Sequence, residues 1–243
     1  MARSVRNCYS ESDPVTRHES GPVLSLRNVS KSYHNLKEST QVLEALELEL
    51  FAGEITCLLG ASGCGKSTIV SLIAGLLVPD SGEVLFDGRN LGAMSDTQRA
   101  QLRATRIGIV LQSGNLVPFL TAGENIAMAI RLAGGASSPA MVGSLLDRVG
   151  LADRADHLPK RLSGGEAQRV ALAVALASNP TLLLADEAVG QLDAETALVV
   201  MSTLDRACRE DGLAVLLVTH DLEIAAKGTR IVRVSAGRME GEA

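Results

Sequence analysis

The run Gly60-Ala61-Ser62-Gly63-Cys64-Gly65-Lys66-Ser67-Thr68 constrains this chain more than any other feature. It has the form GxxxxGK[ST] and stands between an apolar, strand-like segment, Ile55 to Leu59, and a helix that the pattern starts at Lys66 and carries to about Leu77. Glycines at these positions let the backbone fold into a concave ring of N–H donors, and the helix start adds partial positive charge. The residue types predict a phosphate-binding loop in which Lys66 reaches the outer phosphates and the Ser67 hydroxyl ligates Mg²⁺.

The surrounding pattern supplies the context such a loop needs. Apolar positions alternate from Val23 to Val29 and continue as Leu46 to Leu50, which reads as a small β layer ahead of the buried strand. Turn chemistry at Pro79-Asp80-Ser81-Gly82 stops the first helix before the short strand Val84 to Phe86. From Leu91 to about Arg161 the pattern is mostly helical, broken by the strand-like Ile107 to Leu111; Ser95-x-x-Gln98 and Thr121-x-x-Glu124 are capping-box starts. A helix over Glu166 to Ala177, the strand Leu182 to Ala185, a helix near Ala194 to Arg209 and the strand Leu213 to Val218 follow. Continuous apolar strands alternating with helices predict a parallel sheet covered on both faces.

Length and composition remove several classes of function. A chain of 243 residues buries a sizeable core without metals or disulfides. Its formal charge is -5, which gives no field to hold a phosphate backbone, and three Phe, two Tyr and no Trp leave no platform for stacking bases, so nucleic acid is excluded as main partner. The longest apolar run, Val170 to Ala177, falls far short of the roughly twenty residues of a membrane span. Residues 1–22 read as a flexible extension without an export signal, and the location expected is the cytoplasm. Cys8, Cys57, Cys64 and Cys208 lack metal-ligand spacing and read as free thiols.

Two further clusters match the chemistry of a phosphate loop. Asp186 and Glu187 end the apolar strand Leu182 to Ala185, where Asp186 is placed to hold Mg²⁺ and Glu187 to act as a base toward an attacking water. Ser163-Gly164-Gly165-Glu166 is a capping box at a helix start, hence a second site for anions. If the two anion sites lie on different subdomains, the economical arrangement is two chains head to tail, each completing the other's pocket.

Leu162-Ser163-Gly164-Gly165-Glu166, with Ala167-Gln168-Arg169 after it and the lysine loop and the acidic strand end in the same order, resembles the signature of the nucleotide-binding subunits of ABC transporters, over about Val23 to Met239. The resemblance implies an α/β fold: a P-loop NTPase (RecA-like) core with a parallel sheet, over 23–92 and 168–243, an antiparallel β layer at its N-terminal side and a helical subdomain inserted over 93–167. It implies ATP and Mg²⁺ as ligands, with Tyr33 stacked on adenine and Gln112 sensing Mg²⁺. Asp193 would cross the dimer interface, and His220 would touch the γ-phosphate. The implied partners are a second copy and an integral membrane permease, gripped near Gly114 to Leu120, where Leu116, Val117 and Phe119 suit either a partner or core packing. GASGCGKST, Gly82 to Gly88 and Gln112 to Asn125 look most like the ATPases of lipoprotein-releasing and macrolide-exporter systems. An ATPase signalling to a membrane partner without transport, as in cell division, and a soluble ABC ATPase are the alternatives. Departures are Ala188-Val189, where the family continues with Pro-Thr and a looser turn toward Asp193 is expected, and Val174, where a second arginine is common. Cys64, inside the loop, reads either as an oxidation-sensitive thiol or as a small residue that merely fits.

Overall fold

The computed structural model describes residues 21–34, 39–190 and 192–242; Cys8, most of the N-terminal extension and Gln191 lie outside them. Two sheets carry the fold. Strands β1 (Leu24–His34), β2 (Ser39–Leu50), β4 (Ser81–Phe86) and β5 (Arg89–Asn90) form an antiparallel layer in the order β2-β1-β4-β5. Strands β3 (Ile55–Leu59), β6 (Ile107–Val110), β7 (Leu182–Asp186), β8 (Ala214–Thr219), β9 (Arg230–Ser235) and β10 (Arg238–Glu242) form the second sheet in the order β10-β9-β3-β8-β7-β6. All of its neighbours are parallel except the β9–β10 hairpin.

The large sheet separates two halves of the core. Along β7, Leu182 and Leu184 face the antiparallel layer and helix α1 (Lys66–Ile73), whereas Leu183 and Ala185 face α5 (Gly164–Leu176) and α6 (Ala194–Asp211). Strand alternation produces this division, and burial on both faces explains why these strands read as unbroken apolar runs. Helices α2 (Asp96–Arg106), α3 (Ala122–Leu132) and α4 (Pro139–Arg148) lie between β5 and α5 in sequence, and the four-residue α7 (Leu222–Ala225) follows β8. Capping boxes close on Ser95 and Gln98, Thr121 and Glu124, and Ser163 and Glu166.

Three features depart from the sequence expectations. Helix α1 ends at Ile73 rather than near Leu77, because Gly75, at φ 63°, donates to Leu72 O while Leu76 N donates to Ser71 O, a left-handed closure that satisfies the last carbonyls. Strand β6 pairs with β7 in the large sheet although it falls inside the segment 93–167 assigned to the helical insertion. Gly108 makes this packing close: a Cβ there would lie 2.5 Å from Ala175 O on α5. The hairpin β9–β10 was not foreseen, and β9 places Ile231 and Val232 beside Cys57 and Leu58 of β3.

Candidate functional site

Strand β3 delivers the chain into the loop 60–65, and the loop turns through Gly63 (φ 80°) and Gly65 (φ 105°) into α1. A side chain at either glycine would be forced into the left-handed region, and a Cβ at Gly65 would also lie 2.7 Å from Leu43. Gly65 caps α1 with no side-chain hydrogen bond, so the first N–H groups of the helix remain available to an anion. Lys66, only 7% exposed, donates from Nζ to Gly60 O at 2.8 Å and Ala61 O at 2.9 Å. The ammonium is thereby held over the loop's own concavity. Cys64 is buried, with Sγ against Gly60, whose Cβ would meet it at 2.6 Å.

A cavity of about 240 Å³ opens over this loop, walled by Tyr33, Val42, Ser62, Gly63, Gly65, Lys66, Ser67, Thr68 and Glu187. The Tyr33 hydroxyl lies 3.4 Å from Thr68 Oγ1, so β1 and α1 meet at its rim. Asp186 is half-buried; burial raises its carboxyl above the ordinary range, and the neighbouring Glu187 adds to the rise, against the Ser67 hydroxyl and the Lys66 charge, which favour the ionised form. Glu187 sits at φ 50°, where a non-glycine residue is strained, and its N–H donates to Val218 O at 3.0 Å. His220 Nδ1 stands 3.5 Å from Glu187 Oε1. Ala188 and Val189, where the family continues with Pro-Thr, are both buried in the core.

The structure therefore brings Tyr33, the loop through Thr68, Asp186, Glu187 and His220 together. Other expected residues stand elsewhere in the chain. Gln112 is exposed in the segment after β6, where Gln168 Nε2 donates to Leu111 O at 3.1 Å. Ser163 and Gly164 are exposed at the start of α5, and none of Ser163, Gly164 and Gly165 walls the cavity. Asp193 caps α6, accepting from Thr196 N at 2.9 Å and Thr196 Oγ1 at 2.8 Å, bonds that hold its carboxyl below the usual range. Thr196 in turn packs on Gly165, whose Cβ would meet its Oγ1 at 3.0 Å, so the starts of α5 and α6 adjoin.

Sequence reasoning missed what the C-terminal hairpin does here. Behind the loop a second cleft of about 580 Å³ is walled by Gly60 to Cys64 and His220 on one side and by Arg233, Ser235, Ala236 and Glu240 on the other. No local motif marks those four residues; the β9–β10 hairpin brings them there, with β9 paired to β3.

A sequence profile described as "ABC transporter" matches residues 43–190, well over half of the chain. The chain belongs to the ABC transporter family. Among its relatives, "Lipoprotein-releasing system ATP-binding protein LolD 2" of Rhodopirellula baltica is 43% identical over 229 residues, covering 91% of this chain and 90% of the relative. "Lipoprotein-releasing system ATP-binding protein LolD 1" of Caulobacter vibrioides is 42% identical over 89% of this chain and 94% of its own length. "Macrolide export ATP-binding/permease protein MacB" of Syntrophobacter fumaroxidans is 39% identical over 90% of this chain, which spans 31% of that larger protein. Among solved structures, a dimeric post-hydrolysis state of the ATP-binding cassette MJ0796 bound to ADP and Pi superposes with a TM-score of 0.85 at 37% identity, covering 90% of this chain and 97% of that one. This ABC protein is thus an ATPase, the ATP-consuming cassette of a transporter, with the α/β fold that the sequence resemblance implied.

Proposed function

We propose that two copies of this ABC ATPase close head to tail around two Mg-ATP molecules and drive an integral membrane permease of the lipoprotein-releasing or macrolide-exporter type. The observation that carries the reading is the split of the phosphate-binding parts: one cavity holds Lys66, Ser67 and Glu187, while the second anion-facing helix start, at Ser163 to Gly165, is no part of it. A second copy supplies the missing half most economically, and the dimeric form of the MJ0796 cassette supports that arrangement.

In this reading Tyr33 stacks on adenine. The N–H groups of Gly60, Ala61, Ser62, Gly63, Cys64 and Gly65, with Thr68 beside them, wrap the phosphates, and Lys66 leaves its two carbonyl partners to bind the outer ones. The donors near the loop suit Mg²⁺: the Ser67 hydroxyl and the Asp186 carboxylate are hard oxygen ligands, and the Gln112 amide would join them from the segment after β6. Among the described residues no group of three His, Cys, Asp or Glu could hold a metal by itself; a Mg²⁺ ion held by these oxygens together with the phosphates would neutralise phosphate charge. Glu187 activates water, His220 steadies the γ-phosphate, and Ser163 of the partner subunit with the partner's Gly165 close the far side. Asp193, at the start of α6 beside Gly165, lies in the interface. Positioning and electrostatics supply the catalysis.

The permease contact falls near Gly114 to Leu120, where Phe119 is 78% exposed. Among the described residues no helix is long and apolar enough to cross a membrane, so attachment is peripheral, to the cytoplasmic face through the permease. The names of the LolD and MacB relatives support the subfamily. The test is Glu187→Gln with ATP and Mg²⁺ on a sizing column: a dimer that does not turn over is expected, and a persistent monomer overturns the sandwich.

A further inference from the structure

The α5 start contains an electrostatic conflict. A helix N-terminus grips phosphate through its free N–H groups and partial positive charge, yet Glu166 places a carboxylate in the first turn, where it competes for the same field. The structure resolves the conflict with two contacts. Glu166 Oε2 accepts from Ser163 N at 2.8 Å, and Glu166 Oε1 accepts from Arg154 Nε at 2.9 Å. Arg154 also meets Asp153, but the Asp153 side chain is 74% exposed and that of Glu166 only 20%, so water screens the former pair far more. The Ser163 N–H, followed by the Arg154 bond, holds the Glu166 carboxyl down to about 2.

The guanidinium is also held in place. Arg154 belongs to the 3-10 turn Ala152–Arg154, and the next residues accept the first N–H groups of α3, Gly123 N to Ala155 O and Ala122 N to His157 O, both at 2.8 Å. Nothing in the sequence pattern joins Arg154 to Glu166 twelve residues later. Their pairing is a product of the fold.

We propose that Arg154 is a positioning residue for ATP capture: it binds the Glu166 carboxylate, turns it back into the α5 cap and cancels its charge, so that this helix start presents donors to the partner-bound triphosphate. The inference rests on the head-to-tail reading above. It assigns to a residue outside the signature the task of keeping the signature receptive to an anion.

The test uses full-length protein in a Glu187→Gln background, reading the Mg-ATP concentration for half-maximal dimer formation, with fluorescent ATP binding to the monomer as a second readout. Arg154→Gln is expected to raise the dimerisation requirement roughly three- to tenfold while monomer binding stays unchanged. Adding Glu166→Gln, which keeps the capping hydrogen bond and removes the charge, restores the parent value. Glu166→Gln alone does not raise the requirement, and Arg154→Lys stays within about twofold of the parent. If the parent itself never dimerises, the sandwich reading fails and this inference with it. If the parent dimerises and Arg154→Gln does so equally well, only the inference fails. It fails also if the double variant is not restored, or, should Arg154→Gln not fold, if Glu166→Gln alone weakens dimerisation.

Discussion

Asp186 carries its charge partly out of water, and its stability signature follows from the direction of its shift. The carboxyl is raised in the folded chain, chiefly by burial and then by Glu187. Folding therefore favours the protonated form: the favourable contribution is complete below the ordinary aspartate range of about 4 and is lost as pH rises through the raised value. At neutral pH the ionised group costs stability. Asp186→Asn, which removes the charge at nearly constant size, is expected to melt higher than the parent at pH 7 without nucleotide, with the gap narrowing as the pH falls toward about 4. A variant no more stable than the parent at pH 7 contradicts this. ATP hydrolysis should be lost in the same variant, a case of function held against stability. The acidic pair was legible because it ends an apolar strand, but the left-handed backbone of Glu187 and its approach to His220 were not, since both depend on β8 lying beside β7.

Among the elements, those whose ends are set by near neighbours in sequence were legible. The capping boxes of α2, α3 and α5 involve residues three apart, and the loop before α1 is one contiguous run. The hairpin β9–β10 was not, because Arg230, Arg233 and Arg238 interrupt its apolar positions and its place in the sheet comes from β3, about 175 residues earlier in the chain by the Thr56–Arg230 pairing. The closeness of β1 and β4 is another product of pairing. Gly82 has φ 81°, and a Cβ there would lie 2.2 Å from Asn28 O. Gly82→Ala must therefore strain its own backbone and push β1 away, with an expected cost of about 2–4 kcal/mol in urea unfolding. A loss below about 0.5 kcal/mol would show that the two strands adapt freely.

At the scale of the molecule, one sheet divides the interior into two cores. Leu72 of α1 lies in the half beneath the antiparallel layer, and Leu204 of α6 in the half beneath the helices. Each is at most 1% exposed. Leu72→Ala and Leu204→Ala are each expected to cost about 2–5 kcal/mol. With the sheet between them, the double variant should lose close to the sum, within about 0.5 kcal/mol, by chemical denaturation. A large departure from additivity would mean that the halves yield to one another through the sheet.

The sequence alone determined the phosphate loop, the acidic strand end, the signature helix start and the alternation of strands and helices. Each is encoded by residues adjacent or one helical turn apart, where steric and hydrogen-bonding preferences act before any tertiary contact forms. Only the tertiary structure decided that Glu187 shares a cavity wall with Lys66 and stands beside His220, that β9 backs the loop, and that Arg154 holds Glu166. These depend on through-space distances between segments remote in the chain, which hydrophobic burial sets by closing the two cores on one sheet.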